Sequence, residues 1–372
     1  MKATINKNDI LPVLSRIQGL AGRKTNLAIT TSILIQTEKS GISIAATDLE
    51  TGFEGFYPAK IDAQGVIAIN ARKLYEIVRD FPSEDIYINE IENHWIEIGN
   101  QTVEYHIMGL NPDDFPEIPK IEDVDFFEIN SASFAKMIDK TAIITGASDD
   151  NRAHIVGIFT ERIHQEKEKI FRLVSTDGSR LSKADCVFDK DFELTSGPDV
   201  LIPKKGLTEV AKFLDNEGSV KLGIKDNNFI VKKERETLII RLLEGDFPQY
   251  GDIVVKTDGH DIPMDRQLFL MTLKRMSIMS SDEYKGVIFH FNTDKLLINS
   301  TNPDIGESKE DMDISYKGDP VEVMYNPKFF IDTLGVIDED NIILNIVDEE
   351  KPCKVEGEND KSFLSVIMPM RI

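Results

Sequence analysis

Residues 70–81 read NARKLYEIVRDF, and the same pattern returns as PKKGLTEVAKFL at 203–214 and as NPKFFIDTLGVI at 326–337. The three segments align without gaps, and their apolar residues recur three, four and seven positions apart, as on one face of an amphipathic helix. Asn70 and Asn326 suit the capping position at a helix N-terminus, and prolines suit a helix opening. The pattern predicts three equivalent helices, each about one domain length from the next.

Other blocks repeat around these helices. Each repeat opens with a helix-like segment and then offers an apolar strand that ends in a polar turn, at ISIAATDLE (42–50), FRLVSTDGS (171–179) and LLINSTNPD (296–304). Each ends, after further strands, in a closing block, at NPDDFP (111–116), EGDFP (244–248) and VIMPM (366–370). A fixed period of this kind identifies a repeat architecture.

The repeats predict an α+β fold of three tandem domains, each with two helices packed on largely antiparallel sheets. We predict domain 1 at 1–122, domain 2 at 123–256 and domain 3 at 257–372. The linkers are expected at 117–126 and 254–261, which are polar and rich in turn residues.

Composition restricts the class of protein. The 372 residues carry a net charge of −22, which taken alone argues against nucleic acid as a ligand. No apolar run approaches the roughly 20 residues of a membrane helix, and the polar start MKATINKND lacks the apolar core of a signal peptide. We expect a cytoplasmic protein with no membrane partner.

The cations are not placed at random. Arg72, Lys205 and Lys328 occupy the same repeat position, and Arg79 matches Lys212. The candidate DNA-facing cations on the predicted helices are Arg16, Arg72, Arg79, Lys136, Lys140, Lys204, Lys205, Lys212, Lys274, Arg275 and Lys328. A single basic helix face is usually just solvated, but three copies in register within so acidic a chain favour a shared positive surface.

Metal and redox sites are not indicated. Two cysteines, Cys186 and Cys353, make no disulfide framework and are expected to fill strand positions. The six histidines show no ligand spacing, so we predict neither a metal nor a cofactor.

The ordered blocks TDLE (47–50), NPDDFP (111–116), STDGSRL (175–181), IPKKG (202–206), DFPQY (246–250) and MPMRI (368–372) resemble those of the bacterial DNA sliding clamps, the β subunits of DNA polymerase III. The resemblance covers the whole chain. It implies a non-enzymatic processivity factor, a head-to-tail homodimeric ring whose helices face the backbone of double-stranded DNA without sequence specificity. It also implies that the DNA polymerase III α subunit, an ATP-driven clamp loader and other proteins with clamp-binding motifs are partners.

The resemblance adds residues that the pattern alone does not give. Arg23 and Lys24, after the first helix, resemble DNA contacts. The seam between subunits would join the edge strand near 97–108 to the third domain of the second subunit. Ile278 and Met279 match positions at that seam, although both could instead lie in the core of the third domain.

The resemblance further implies a shallow apolar groove between domains 2 and 3 that binds a short linear peptide. Its deep subsite matches Ile155, Thr176, Gly178, Ser179, Arg180, Leu181, Pro248, Ile253, Val366 and Met368. Its second subsite matches Arg152, His154, Asn326, Phe329, Glu350, Pro352, Pro369, Met370 and Arg371. Asp252, Phe329 and Glu350 depart from the usual family residues, so the second subsite is expected to be more acidic and to lack a hydroxyl.

Two other functions have to be weighed against the clamp. Acidic residues such as Asp48, Asp113 and Asp177 could serve an enzyme, but they recur at equivalent turns, where Asp caps the backbone. We therefore predict no catalytic residues. The second alternative is an acidic scaffold that binds proteins and does not encircle DNA. The terminal VIMPMRI fits either a last core strand or a surface that adapts to several partners.

Overall fold

The computed structural model describes residues 1–22, 27–144, 152–195, 197–255, 258–280 and 286–371. The chain forms two compact units. Unit 1 comprises Met1–Ala132 with Lys205–Leu242, and unit 2 comprises Ser133–Lys204 with Leu243–Ile372. The middle predicted domain contributes strands to both units, because some of its strands pair with the first repeat and others with the third.

The helices lie where the repeat pattern predicts them. In the described residues the α-helices are α1 (Lys7–Ala21), α2 (Ala71–Asp80), α3 (Ser131–Ala142), α4 (Ala153–Val156), α5 (Lys204–Phe213), α6 (Gly251–Val254), α7 (Arg266–Met276) and α8 (Pro327–Gly335). The three equivalent helices are therefore confirmed as α2, α5 and α8. Asn70 Oδ1 accepts from Lys73 N and Asn326 Oδ1 accepts from Lys328 N, both at 3.0 Å, so both asparagines cap a helix as expected.

Strands fill the rest of each repeat. They are β1 (Lys2–Asn6), β2 (Ser32–Thr37), β3 (Gly41–Thr47), β4 (Thr51–Ala63), β5 (Val66–Asn70), β6 (Asp85–Glu90), β7 (Trp95–Gly99), β8 (Glu104–Met108), β9 (Phe127–Asn130), β10 (Gly157–His164), β11 (Glu168–Thr176), β12 (Arg180–Asp189), β13 (Val200–Pro203), β14 (Ser219–Lys225), β15 (Asn228–Lys233), β16 (Glu236–Arg241), β17 (His260–Asp265), β18 (Val287–Asn292), β19 (Lys295–Asn302), β20 (Gly306–Asp313), β21 (Val321–Tyr325), β22 (Asn341–Ile346), β23 (Cys353–Gly357) and β24 (Phe363–Ile367). The pairings between these strands are antiparallel, which confirms the α+β class.

Unit 1 contains one large sheet in the order β8-β7-β6-β1-β4-β16-β15-β14-β9, which β2, β3 and β5 extend through the β3–β4 pair. Unit 2 contains an eight-stranded sheet, β13-β10-β11-β12-β24-β23-β22-β17, and a four-stranded sheet, β20-β19-β18-β21. Each repeat thus runs β-α-βββ-β-α-βββ, apart from the short helices α4 and α6.

Two strand pairs join successive repeats in the same way. In unit 1 the last strand of the second repeat, β16, pairs with β4 of the first, and Ile240 lies opposite Thr51. In unit 2 the last strand of the third repeat, β24, pairs with β12 of the second, and Ile367 lies opposite Arg180. The sheets therefore continue from one repeat into the next within each unit.

The apolar faces of the helices form the cores. Leu74 and Val78 of α2 and Leu207 and Val210 of α5 are fully buried, and each such side chain contributes roughly 1.5–3 kcal/mol through burial. Thr333 interrupts the apolar face of α8, yet it is buried because its hydroxyl bonds Ser365 Oγ at 2.9 Å. A satisfied hydroxyl costs little in a core, so the helical prediction tolerates this residue.

Candidate functional site

The turn between β11 and β12 forms one wall of the candidate groove. Thr176 Oγ1 donates to Arg180 O at 2.8 Å, and Asp177 Oδ1 accepts from the amides of Ser179 and Arg180, both at 3.0 Å. Gly178 has a φ of +88°, a conformation that glycine adopts without strain. The sequence TDGSR thus specifies this turn through its own side chains.

Arg180 ties this turn to α8. Its side chain is almost fully buried, and it donates from Nε to Asp177 Oδ2 at 3.1 Å and from Nη1 to Asp332 Oδ2 at 2.8 Å. The guanidinium carbon lies 4.3 Å from the centre of the Phe329 ring, a favourable cation–π contact. The Phe329 ring therefore packs against the guanidinium. Since phenylalanine has no hydroxyl, it offers no hydrogen bond at this position.

A groove of about 1060 Å³ opens beside this contact, within unit 2. It is lined by Asp177, Gly178, Ser179, Arg180, Ser277, Ser280, Asn326, Pro327, Lys328, Phe329, Ile331, Met368, Pro369 and Met370. The groove brings together eight residues of the predicted peptide site: Gly178, Ser179, Arg180, Asn326, Phe329, Met368, Pro369 and Met370. Met370 also bridges Met324 through the backbone, at 2.8 Å from Met370 N to Met324 O, so the terminal segment is part of the fold and of the groove wall.

Several residues predicted for the deep subsite lie beneath the surface instead. Ile155, Leu181 and Val366 are buried, and the last two belong to a cluster with Val174, Tyr250 and Leu364. Thr176 is buried by its turn. Pro248 and Ile253 are exposed but do not line this groove. Leu181 and Val366 therefore belong to packed core, against which Phe159, Phe247 and Val254 also pack, whereas Gly178, Ser179, Arg180 and Met368 of the same predicted subsite line the groove.

The rest of the predicted second subsite lies outside the lining of this groove. Arg152 precedes α4, which includes His154, and Pro352 and Arg371 are likewise not in contact with the groove. Glu350 lies in an exposed turn, where its amide bonds Asp348 Oδ1 at 3.0 Å. Glu350 is therefore not part of the lining of this groove.

Sequence reasoning missed Asp177, Ser277, Ser280, Pro327 and Ile331 as lining residues and assigned Lys328 to DNA alone. Helical spacing carries part of the signal, because Ile331 lies three positions after Lys328 on α8 and residues at that spacing are neighbours on a helix surface. The two serines follow α7 and carry no such pattern.

Most of the candidate DNA-facing cations already have a carboxylate partner. Exposed cations that pair in this way are Arg72 with Glu76, Arg79 with Asp80, Lys136 with Asp338, Lys205 with Asp48 and Glu50, Lys212 with Glu209 and Arg275 with Glu310. Arg16 is less exposed and pairs with Glu236. Lys274 and Lys328 are exposed and make no ion pair with any residue in the described part of the chain.

Two of the predicted DNA-facing lysines are turned inward. Lys140 is 8% exposed, donates to Asp360 Oδ2 at 2.9 Å and lies over the Phe363 ring. Lys204 donates to the carbonyl oxygens of Ile144 at 2.5 Å and Ile155 at 2.7 Å, and burial lowers its pKa to about 8. Lys140 is buried and Lys204 is only partly exposed, and both ammonium groups already have acceptors within unit 2, so neither is a favoured contact for a phosphate. Arg23 and Lys24 lie outside the described residues.

The predicted seam residues are at the surface. Ile278 is 71% exposed and Met279 is partly exposed, so the alternative that both fill the core of the third repeat is wrong. On β8, an edge strand of unit 1, Tyr105 and Met108 are also exposed. Such exposed apolar side chains are typical of interaction surfaces.

One group of side chains has the atom types of a metal site. Ligand atoms of Glu97, Glu104 and His106 lie within 4.8 Å of one another. Ordinary contacts account for this arrangement, because His106 Nε2 lies 2.9 Å from Glu104 Oε1, and Glu97 accepts hydrogen bonds from Tyr87 and Asn89. We assign no metal to it. Among the described residues, every helix is too short or too polar to span a membrane.

Comparisons with known proteins cover the whole chain. Profiles of the DNA polymerase III beta subunit match its N-terminal domain to residues 1–119, its central domain to 128–249 and its C-terminal domain to 256–371. The beta sliding clamps of Vibrio cholerae and Chlamydia pneumoniae are 26% and 25% identical, and the matches span all of this chain and 100% and 99% of those proteins. The crystal structure of the DNA polymerase III subunit beta from Pseudomonas aeruginosa is similar with a TM-score of 0.91, 26% identity and full coverage of both chains. The chain therefore belongs to the DNA polymerase III beta subunit family.

Proposed function

We propose that this protein is a DNA sliding clamp, a non-enzymatic processivity factor that encircles double-stranded DNA as a head-to-tail homodimer. Its partners would be the DNA backbone, the DNA polymerase III α subunit, the clamp loader and other proteins with clamp-binding motifs. This function places it in the cytoplasm. Each chain would contribute three domains, 1–122, 123–256 and 257–372, so that a two-chain ring has six.

One observation carries the proposal. Each later repeat pairs a strand with the repeat before it, and this pattern leaves one strand edge of the first repeat and one of the third without a partner among the described strands. In unit 1, β16 pairs with β4, and in unit 2, β24 pairs with β12. In both cases the last strand of a repeat pairs with a strand of the preceding repeat, namely the third strand after its opening helix. Within the described residues, β8 pairs only with β7 and β20 pairs only with β19. These two strands hold the equivalent positions, so β8 of one copy is the natural partner of β20 of another.

The internal pairs also predict the register of that seam. Leu110, Leu243 and Met370 form equivalent isolated bridges, to Ala68, Leu201 and Met324, and so align the ends of the three repeats. On this alignment Ile107 corresponds to Ile240 and Ile367. The alignment of the segments 42–50, 171–179 and 296–304 makes Ile305 correspond to Thr51 and Arg180. We therefore expect Ile107 of one copy to lie opposite Ile305 of the other.

Charge supports a weak, non-specific contact with DNA. The exposed cations recur at equivalent positions of the repeats, and most of them bear a carboxylate partner that a phosphate would have to displace. Backbone contacts of this kind are independent of sequence and sensitive to salt. In a closed ring retention does not need tight binding.

The first experiment compares retention on circular and linearised plasmid DNA after loading, at moderately high salt. We expect retention on the circle and rapid loss from cut ends. Equal loss from both, with loading verified, would favour the acidic scaffold that does not encircle DNA.

A cysteine pair tests the seam itself. Ile107→Cys combined with Ile305→Cys should form an intermolecular disulfide under mild oxidation, since directly opposed antiparallel residues lie within disulfide range. The out-of-register pair Ile107→Cys with Lys309→Cys is the matched control. Equal cross-linking of both pairs would contradict the register.

A further inference from the structure

Two turns in successive repeats are built by the same hydrogen bonds. In the first, Thr47 Oγ1 donates to Thr51 O at 3.0 Å, and Asp48 Oδ1 accepts from the amides of Glu50 and Thr51 at 3.1 and 2.8 Å. The second, at 176–180, repeats these bonds through Thr176 and Asp177. Leu49 and Gly178 both have positive φ, at 78° and 88°. The two turns therefore provide an internal comparison, position by position.

A lysine from the next repeat lies beside each turn, and in both cases it is the second residue of its helix. In unit 1 this lysine is Lys205, the second residue of α5, and its ammonium lies 3.1 Å from Asp48 Oδ2 and 3.2 Å from Glu50 Oε2. The lysine thus binds two carboxylates at the turn. This arrangement is complete within unit 1.

In unit 2 the equivalent lysine has no carboxylate partner at the turn among the described residues. The equivalent lysine is Lys328, the second residue of α8, which lines the groove beside the 176–180 turn. Asp177 Oδ2 accepts instead from Arg180 Nε, at 3.1 Å, and Ser179 stands in the place of Glu50. The Lys328 ammonium has no hydrogen-bond or ion-pair partner among the residues that the structure describes.

We propose that Lys328 selects acidic partner peptides, by binding a peptide carboxylate that takes the place Glu50 holds in unit 1. This inference rests on the proposed peptide groove and adds the chemistry of its preferred occupant. The peptide would place one Asp or Glu beside Lys328 and set apolar side chains on the groove walls formed by Phe329, Met368 and Met370.

The surroundings of Lys328 favour a peptide over a nucleic-acid backbone. The groove presents exposed methionine side chains and a proline next to the lysine, and such surfaces adapt to apolar side chains. Its charged lining is Asp177, Arg180 and Lys328, and Arg180 is already bonded to two carboxylates. Among the described residues that line the groove, Lys328 is thus the remaining unpaired charge. A single carboxylate on a bound peptide would neutralise it.

The test uses fluorescein-labelled hexapeptides with two leucine or phenylalanine anchors and one Asp moved through the remaining positions. Each has a matched peptide with Asn in place of Asp. Fluorescence anisotropy with the full chain should show one position at which Asp binds about three- to tenfold more tightly than Asn, as expected for a partly exposed charge pair. Lys328→Gln should abolish that preference, so that the Asp and Asn peptides bind the variant with equal affinity.

Charge reversal makes the test independent of folding defects. Lys328→Glu should reject the Asp peptide and prefer the peptide with Lys at the same position. The matched control is Lys190→Gln, which changes an exposed lysine that directly follows β12 and does not line the groove. This variant should keep the Asp preference.

The outcomes separate the inference from the function on which it rests. If neither peptide set binds the wild-type chain, the groove itself is wrong. If both sets bind equally, or if Lys328→Gln weakens both equally, only the role of Lys328 is overturned. Loss of binding to a short DNA duplex in Lys328→Gln, with the peptide preference intact, would assign the lysine to phosphate and overturn the inference.

Discussion

Arg180 and Asp332 form an ion pair of 2.8 Å that joins the turn after β11 to helix α8. The arginine side chain is 3% exposed and that of the aspartate 26%. The wall and the floor of the groove are thus held together by one buried guanidinium, whose other acceptors are Asp177 and the Ile143 carbonyl oxygen.

Arg180→Gln should loosen this part of unit 2. Removing one partner of a buried pair leaves uncompensated carboxylates and costs about 3 kcal/mol. We expect faster hydrogen exchange of amides in β12 and α8, while Asp189→Asn, at the exposed end of β12, serves as the control. Unchanged exchange in β12 and α8 would show that the pair does not hold the groove.

Asp360 should give the protein a specific acid sensitivity. Burial alone would raise the pKa of Asp360, but hydrogen bonds from Ser362 and Lys140 lower it to about 2, below the ordinary value of 3.8. The folded state therefore binds this proton less readily than the unfolded chain. The stabilisation is complete above about pH 4 and is lost as the pH falls through about 2.

Asp360→Asn is the corresponding variant. Urea unfolding followed by circular dichroism should find it less stable than wild type at pH 6, and the difference should shrink towards zero near pH 2. A stability difference that does not vary with pH would contradict the assignment.

Ile278→Asp should break the proposed dimer without unfolding the chain. The side chain is 71% exposed, so a charge there costs little in one copy but would be buried at a seam. Sedimentation velocity should show a shift from dimer to monomer. Val187→Asp, another exposed apolar position at 53%, is the control and should remain dimeric.

Asp338→Asn should strengthen non-specific DNA binding. Its carboxylate hydrogen-bonds Lys136 and thereby raises the pKa of that ammonium. Freed of this partner, Lys136 can contact a phosphate, and the slope of log K against log salt on a short duplex should steepen by about 0.9. Glu92→Gln, an exposed carboxylate outside the basic helices, should leave the slope unchanged.

The sequence predicts the helices and the turns well, because both are encoded locally. Asn70 and Asn326 cap helices from the adjacent residues, and TDLE and TDGS specify their turns through their own side chains. The apolar face of α2 likewise follows from residues within a single helix.

The inward lysines could not be predicted in this way. The helical spacing of Lys140 predicts an exposed basic side chain. Its partner, Asp360, is 220 residues away in the sequence, so the helix alone gives no sign of this contact. Lys204 opens a helix, yet its ammonium is bonded to the carbonyl oxygens of Ile144 and Ile155. Such partners are set by tertiary packing, which helical periodicity does not report.

The same reason explains why some residues of the predicted deep subsite lie in the core and not in the groove. Leu181 and Val366 are opposite each other in the β12–β24 pair and share a buried cluster. Lys328 borders the groove because α8 lies beside the turn of the preceding repeat. Neither relationship is visible until strands of different repeats are paired.

Among the strands that the structure describes, β8 and β20 each keep one unpaired edge, and this has a consequence for errors of assembly. A head-to-tail interface between identical chains closes only if the rotation per chain is right; otherwise the same contact adds copies without end. Changes in the segments between repeats would alter that rotation while leaving the residues of both edges unchanged. Such variants should appear as filaments, with sound interfaces and a wrong curvature, and not as monomers.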